Sequence, residues 1–128
     1  MHIIHNILII GGSKLQNGYK EEKEMRSYTM ITLEGDRITI SESDIICISA
    51  FEHGTTLRCT NGRQFNCDFG LSAFEEADTL FRCHRGELIN LKKIKRIRDS
   101  IELDEGLTVP IARRRRHSLI MALNEDQG

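Results

Sequence analysis

From position 29 onward the apolar residues come in short runs broken by turn-forming residues, roughly every ten positions, the rhythm of an antiparallel β domain. MITL (30–33) and RITIS (37–41) flank EGD, which predicts a hairpin. IICISA (45–50) is continuously apolar instead of alternating, and so predicts a strand buried on both faces. TTLRCT (55–60) and RQFNC (63–67) flank Asn61 and Gly62, both of which tolerate the positive φ that a type I′ turn requires. Ser72 with Glu75 three positions on is a capping-box pattern, and Leu71, Phe74, Ala77 and Phe81 sit at helical spacing, predicting one short helix. ELIN (87–90), KIKRIR (93–98), SIEL (100–103) and LTVPI (107–111) resume the strand pattern, with DEG (104–106) as a turn. RRRRHSLIMAL predicts a closing helix with Leu119, Ile120 and Leu123 facing inward, followed by a frayed acidic tail at 125–128.

The first 27 residues read differently. An apolar run at 3–10 is followed by a GGS break and a polar, charged stretch, the pattern of a short strand or docking segment on a flexible linker. Eight apolar residues fall short of the roughly 20 that a membrane-crossing helix needs, so a cytoplasmic location without membrane contact is expected. At 128 residues the chain has the length of one domain. The expected organisation is an extension at 1–27, one domain at 28–124 and the tail. Strand signals dominate and no βαβ alternation occurs, so the fold class is mainly β with one or two short helices.

Charge changes the picture. The net charge of −1 conceals an asymmetry: residues 1–81 hold seven basic and twelve acidic side chains, and residues 82–117 hold eleven and five. The segment 81–98, FRCHRGELINLKKIKRIR, carries seven Lys and Arg against Glu87 while still offering Leu88, Ile89, Leu91, Ile94 and Ile97 to a core. An element that is both core-forming and one-signed in charge presents a basic edge suited to a polyanion. The run from Arg113 to Arg116 stands at the start of the closing helix, where cations oppose the helix dipole, which points to an external anion. Arginine in particular suits bidentate recognition of phosphate and of guanine O6 and N7.

Enzymatic chemistry finds little support. No phosphate-cradling, zinc-protease or nucleophile-elbow motif is present. Glu102, Asp104 and Glu105 flank Gly106 in a solvated turn, and no catalytic residue is expected. Cys83 and His84 are adjacent and on a strand would point to opposite faces, so they form no dyad. A packing role suits Cys83, although Arg82 and Arg85 beside it leave a lowered thiol pKa open. The four cysteines show no CxxC pair and read as reduced thiols, and the five scattered histidines match no zinc spacing, so neither metal nor cofactor is expected.

Three stretches together resemble the LytTR family of bacterial DNA-binding domains over about residues 29–123: DIICISAFEHGTTLRCTNGRQF, then FRCHRGELINLKKIKRI (81–97), then LTVPIARR (107–114). The resemblance implies small stacked β-sheets that read DNA with loops, entering successive major grooves of promoter direct repeats. Its first contact loop falls on His53, Gly54, Thr55 and Thr56, its second on His84 and Arg85, and its third on Arg113 with Arg114 alongside. Asn90 and Leu91 match a pair with a structural role. Gly86 and Ala112 stand where the family often has a hydroxyl side chain. With only 27 residues ahead of the domain, a stand-alone regulator without a receiver domain is expected. The reading is therefore a sequence-specific regulator of transcription whose partner is double-stranded DNA, with phosphate contacts from Lys92, Lys93, the remaining basic residues up to Arg98, and Arg113 to Arg116, Arg115 included. A second copy or a regulatory protein is a further partner. The alternative is a protein-interaction module that uses residues 3–10 as an added strand to sequester another regulator.

Overall fold

A computed structural model describes residues 26–127 and, N-terminal to them, the backbone of two strands. The described strands are β1 (His2–Ile4), β2 (Ile7–Ile10), β3 (Ser27–Ile31), β4 (Arg37–Ser41), β5 (Ile45–Phe51), β6 (Gly54–Cys59), β7 (Gln64–Cys67), β8 (Leu80–His84), β9 (Glu87–Asn90), β10 (Ile94–Ile97), β11 (Ser100–Leu103) and β12 (Thr108–Pro110). One α-helix, α1 (Arg116–Gln127), closes the described chain. The strands form three antiparallel sheets, ordered β1-β2-β3-β4, β7-β6-β5-β9-β8 and β10-β11-β12.

The five-stranded sheet is the middle layer, and β5 shows why. Ile45 and Ile48 pack with Tyr28, Met30, Ile40 and Phe74 on one side. Ile46 and Cys47 pack with Ile101, Leu103, Val109 and Leu119 on the other. Strict alternation would send Ile46 and Cys47 to opposite faces. An irregularity in the β5–β6 ladder, between Ile45 opposite Cys59 and Cys47 opposite Arg58, turns both to the same face. Each of these fully buried isoleucines is worth about 1.5–3 kcal/mol. The exposed ion pairs, such as Arg63 with Asp44 at 3.7 Å, are worth about 0–1 kcal/mol each, so the two-sided burial of β5 outweighs them.

The hairpins at 30–41 and 55–67 form where the sequence predicts them. Asn61 takes φ 66° and Gly62 φ 73°, and the Glu105 carboxylate accepts hydrogen bonds from both their backbone N–H groups at 2.8 and 3.0 Å. The DEG carboxylate thus braces a turn from another sheet. Residues 3–10 supply two strands: β1 pairs with β2, and β2 pairs with β3 in the register Ile7↔Met30 to Ile10↔Ser27. The linker expected between this run and residue 26 lies outside the described residues.

Several local expectations are corrected. No capping box forms at Ser72; residues Leu71–Phe74 make a single 3-10 turn with Gly70 at its N-cap, because Leu71, Ala73 and Phe74 are all drawn into the core. In α1, Leu119 is buried but Ile120 is 40% exposed. The helix also continues through Gln127, so residues 125–127, read as a frayed tail, are helical.

One polar cluster lies inside the core. The Glu42 carboxylate accepts from Tyr28 Oη at 3.2 Å and from the Thr79 backbone N–H at 2.8 Å. Fully buried Asn90 donates from Nδ2 to the carbonyls of Ile45 (2.8 Å) and Glu42 (3.2 Å) and accepts from Lys92 N at 2.9 Å. These bonds tie the end of β9 to the start of β5. Asn90→Ala strands two buried carbonyls and should cost about 1–3 kcal/mol, read as a lower urea midpoint at an unchanged m-value.

Candidate nucleic-acid interface

Two tight turns lie side by side at one end of the central sheet. In the β5–β6 hairpin Phe51 pairs with Gly54, leaving Glu52 and His53 at the tip. In the β8–β9 hairpin His84 pairs with Glu87, leaving Arg85 and Gly86 at the tip. The Ala50 N–H donates to the Gly86 carbonyl at 2.8 Å, which locks the second turn against the first. A third segment joins them where the chain leaves β12, as Ala112 N–H donates to the Cys83 carbonyl at 3.0 Å. Arg113 follows immediately. His53, Arg85 and Arg113 therefore emerge from one region, and all three are exposed. Among the described residues, the side chains of Arg85, Arg113 and Arg114 have no hydrogen-bond or ion-pair partner.

The predicted site residues divide by what they touch. Gly54 is required by close approach: a Cβ there would lie 1.9 Å from the Cys67 carbonyl oxygen, so its role is to close the hairpin. Thr55 is 0% exposed and offers nothing to an external ligand, because strand alternation turns it into the sheet. The Thr56 hydroxyl donates to Asn66 Oδ1 at 2.7 Å and is half-buried. His84 is half-buried, and its Nδ1 accepts from Gly86 N–H at 3.1 Å. A Cβ on Gly86 would meet only that Nδ1, at 3.7 Å, so the turn has room for a side chain here.

Arg115 turns inward. Its guanidinium carbon sits 4.8 Å from the centre of the Phe81 ring and its Nε donates to the Arg82 carbonyl at 3.1 Å. Arg116 donates to the Arg98 carbonyl at 2.6 Å. Two of the four arginines in the run thus fasten the chain after β12, and the helix-dipole argument for an external anion reduces to Arg113 and Arg114. Lys92 and Lys93 lie in the turn at the far end of β9. Gly86 to Leu91 is five residue steps, about 17 Å of extended strand, so the structure does not bring these lysines to the loop cluster. Arg82 carries a role missed in the sequence: its Nη1 donates to the Arg85 carbonyl at 3.3 Å and braces the tip. Its position three residues before Arg85 was visible, but the tight turn that brings them together was not.

Glu87 stands behind the tip. Burial raises its pKa, opposed by a hydrogen bond with Ser49 and by the Arg58 and His84 charges. Cys83 is buried, its thiol directed at the Pro110 carbonyl at 3.6 Å. Burial first, then the Glu87 charge, pushes its pKa up to about 12. Burial, and not the neighbouring Arg82 and Arg85, dominates at this thiol, which fits a packing role. Among the described residues no group of three or more His, Cys, Asp or Glu could hold a metal ion, and no helix is long and apolar enough to cross a membrane.

Small antiparallel sheets with exposed arginines gathered at loop tips present a basic surface suited to a polyanion. The chain belongs to the LytTR family, the LytTr DNA-binding domain, whose match spans residues 23–124. Its fold is similar to the LytTr DNA-binding domain of a protein described as a methyl-accepting/DNA response regulator from Bacillus cereus, with a TM-score of 0.64 at 23% identity over 74% of this chain and 94% of that one. No curated protein sequence matches the chain.

All four cysteines carry raised pKa values through burial, about 11 for Cys47 and Cys67 and about 12 for Cys59 and Cys83, against 9.0 in the unfolded chain. Their contribution to stability is complete below pH 9 and is lost as pH climbs through 11 to 12, because only the unfolded chain ionises its thiols in that window. Denaturant midpoints should fall across it. At pH 8 the native protein should resist alkylation by iodoacetamide until urea is added; rapid native labelling of Cys83 would contradict the packing role.

Proposed function

We propose that the chain is a sequence-specific regulator of transcription that binds promoter DNA through its three clustered loops. The binding unit is 28–124, with 1–27 as an extension. The observation that carries this reading is the pair of backbone hydrogen bonds, Ala50 to Gly86 and Ala112 to Cys83, which hold three arginine- and histidine-bearing segments together. Arg85 and Arg113 have the planar donor fork that matches guanine O6 and N7 in the major groove. Glu52 at the same tip is an anion, unsuited to phosphate and suited to accepting from cytosine N4. That favours insertion of the tip toward base edges over contact with the backbone.

Arg114 and the exposed cations Lys95, Arg96 and Arg98 meet phosphates in this reading. Lys92 and Lys93, about 17 Å from the tips along β9, reach phosphates about half a helical turn away, given a turn of roughly 34 Å. Binding to direct repeats by two copies, in the cytoplasm, follows from the same reading. The alternative is an interaction module in which residues 3–10 add a strand to a sheet edge or to a partner; β2 pairs with β3 and β1 forms the edge of that sheet.

Neutralising about five phosphates gives a slope of log K against log salt near −4.5, measurable by fluorescence anisotropy in rising KCl. An affinity independent of salt would contradict it. Arg85→Ala should cost about 1–3 kcal/mol and relax preference at one base position. Arg115→Ala should instead lower stability. An unchanged footprint with Arg85→Ala would refute the assignment.

A further inference from the structure

We propose that Phe51 is a specificity-determining residue that reads the 5-methyl group of thymine from within the loop cluster; the inference rests on the DNA-binding reading above. Of the chain's five phenylalanines, Phe69 and Phe74 are buried and Phe65 and Phe81 half-buried, while Phe51 is exposed, at 42%. A single exposed apolar side chain is ordinary on a protein surface. Its position is what distinguishes Phe51. It is the last residue of β5, directly before the tip residues Glu52 and His53, and its neighbour Ala50 makes the hydrogen bond that joins this hairpin to the Arg85 turn.

The orientation agrees. Ser49, two residues earlier, accepts from Arg58 Nη1 at 3.1 Å and lines a cleft of about 430 Å³ with Glu87 and Pro110, between the central sheet and β12. Strand alternation puts Phe51 on the face of Ser49, the face over which the chain runs from Pro110 to Arg113. Opposite Phe51 stands Gly54, which has no side chain to cover the ring. An apolar ring on a hairpin hydrogen-bonded to the Arg85 turn has one ready counterpart on a major-groove base edge, the thymine methyl, the chief apolar group presented there.

Packing of the ring over Gly54 is the competing role, and it predicts lost stability without any sensitivity to the DNA methyl group. The experiment uses a duplex enriched from random sequence by the full chain, together with copies in which each thymine in turn is replaced by deoxyuridine, which removes only the methyl. Titration by fluorescence anisotropy should show one or two positions where the wild-type chain binds the uracil duplex about fourfold more weakly, the affinity equivalent of one buried methyl. Phe51→Ala should bind the thymine and uracil duplexes equally, and Phe51→Leu should retain part of the difference. Because each comparison sets two duplexes against the same protein preparation, a smaller folded fraction in the variant leaves the ratio intact. Wild-type indifference to every uracil, or full methyl sensitivity in Phe51→Ala, overturns the inference while leaving DNA binding standing. Failure to enrich any duplex sinks the DNA-binding reading first and this inference with it.

Discussion

Two backbone hydrogen bonds, from Ala50 to Gly86 and from Ala112 to Cys83, set the geometry on which the rest depends. Each joins segments that are distant in sequence, and neither involves a side chain, so residues at the tips are free to vary while their relative positions stay fixed. Backbone pairing of this kind suits a recognition surface, since functional residues are best carried on loops held by a rigid scaffold. The rigidity comes from the layers beneath. β5 and β9 are pinned at their far ends by buried Asn90 and Glu42, and the central sheet is covered on both faces.

The arginines divide between those that brace the scaffold and those that stay exposed. Arg82, Arg115 and Arg116 spend their donors on carbonyls of the same chain, and Arg115 also stacks on Phe81. These contacts hold the Arg85 and Arg113 segments in place. Arg85, Arg113 and Arg114 remain exposed, so removing an inward arginine should act through stability and removing an outward one through the ligand. The charge asymmetry of the sequence does not separate the two groups. Only the hydrogen-bond partners do.

Much of the fold was legible because the two periodicities that carry it are local. The β5 run was readable as a strand covered on both sides, and the asparagine-glycine pair as a hairpin turn with positive φ at both positions. The Ser72 capping box misled because Leu71, Ala73 and Phe74 all find core partners, which a tight 3-10 turn accommodates and a longer amphipathic helix does not. Ile120 misled for a related reason: α1 meets the core cluster through Leu119 and Leu123, while Ile120 is exposed. At the candidate site, residue type alone marks the basic segment 81–98 and the arginine run 113–116, and it is the resemblance to the LytTR family that singles out Arg85 and Arg113 within them. The burial of Thr55 followed from strand alternation and was readable in principle. The inward turn of Arg115 depends on Phe81 and Arg82, more than thirty positions away, and no local pattern announces it.

The central claim is that three loops held by backbone pairing form one DNA-contacting surface. Its most direct test is a titration of the 15N-labelled chain with a duplex that it selects, followed by amide chemical shifts. The account predicts that the largest changes fall together on residues 51–54, 84–86 and 112–114, with Asn61, Gly62 and the 32–36 turn unmoved. Changes concentrated at Asn61 and Gly62, at the opposite end of the central sheet, with Arg85 and Arg113 silent, would contradict it.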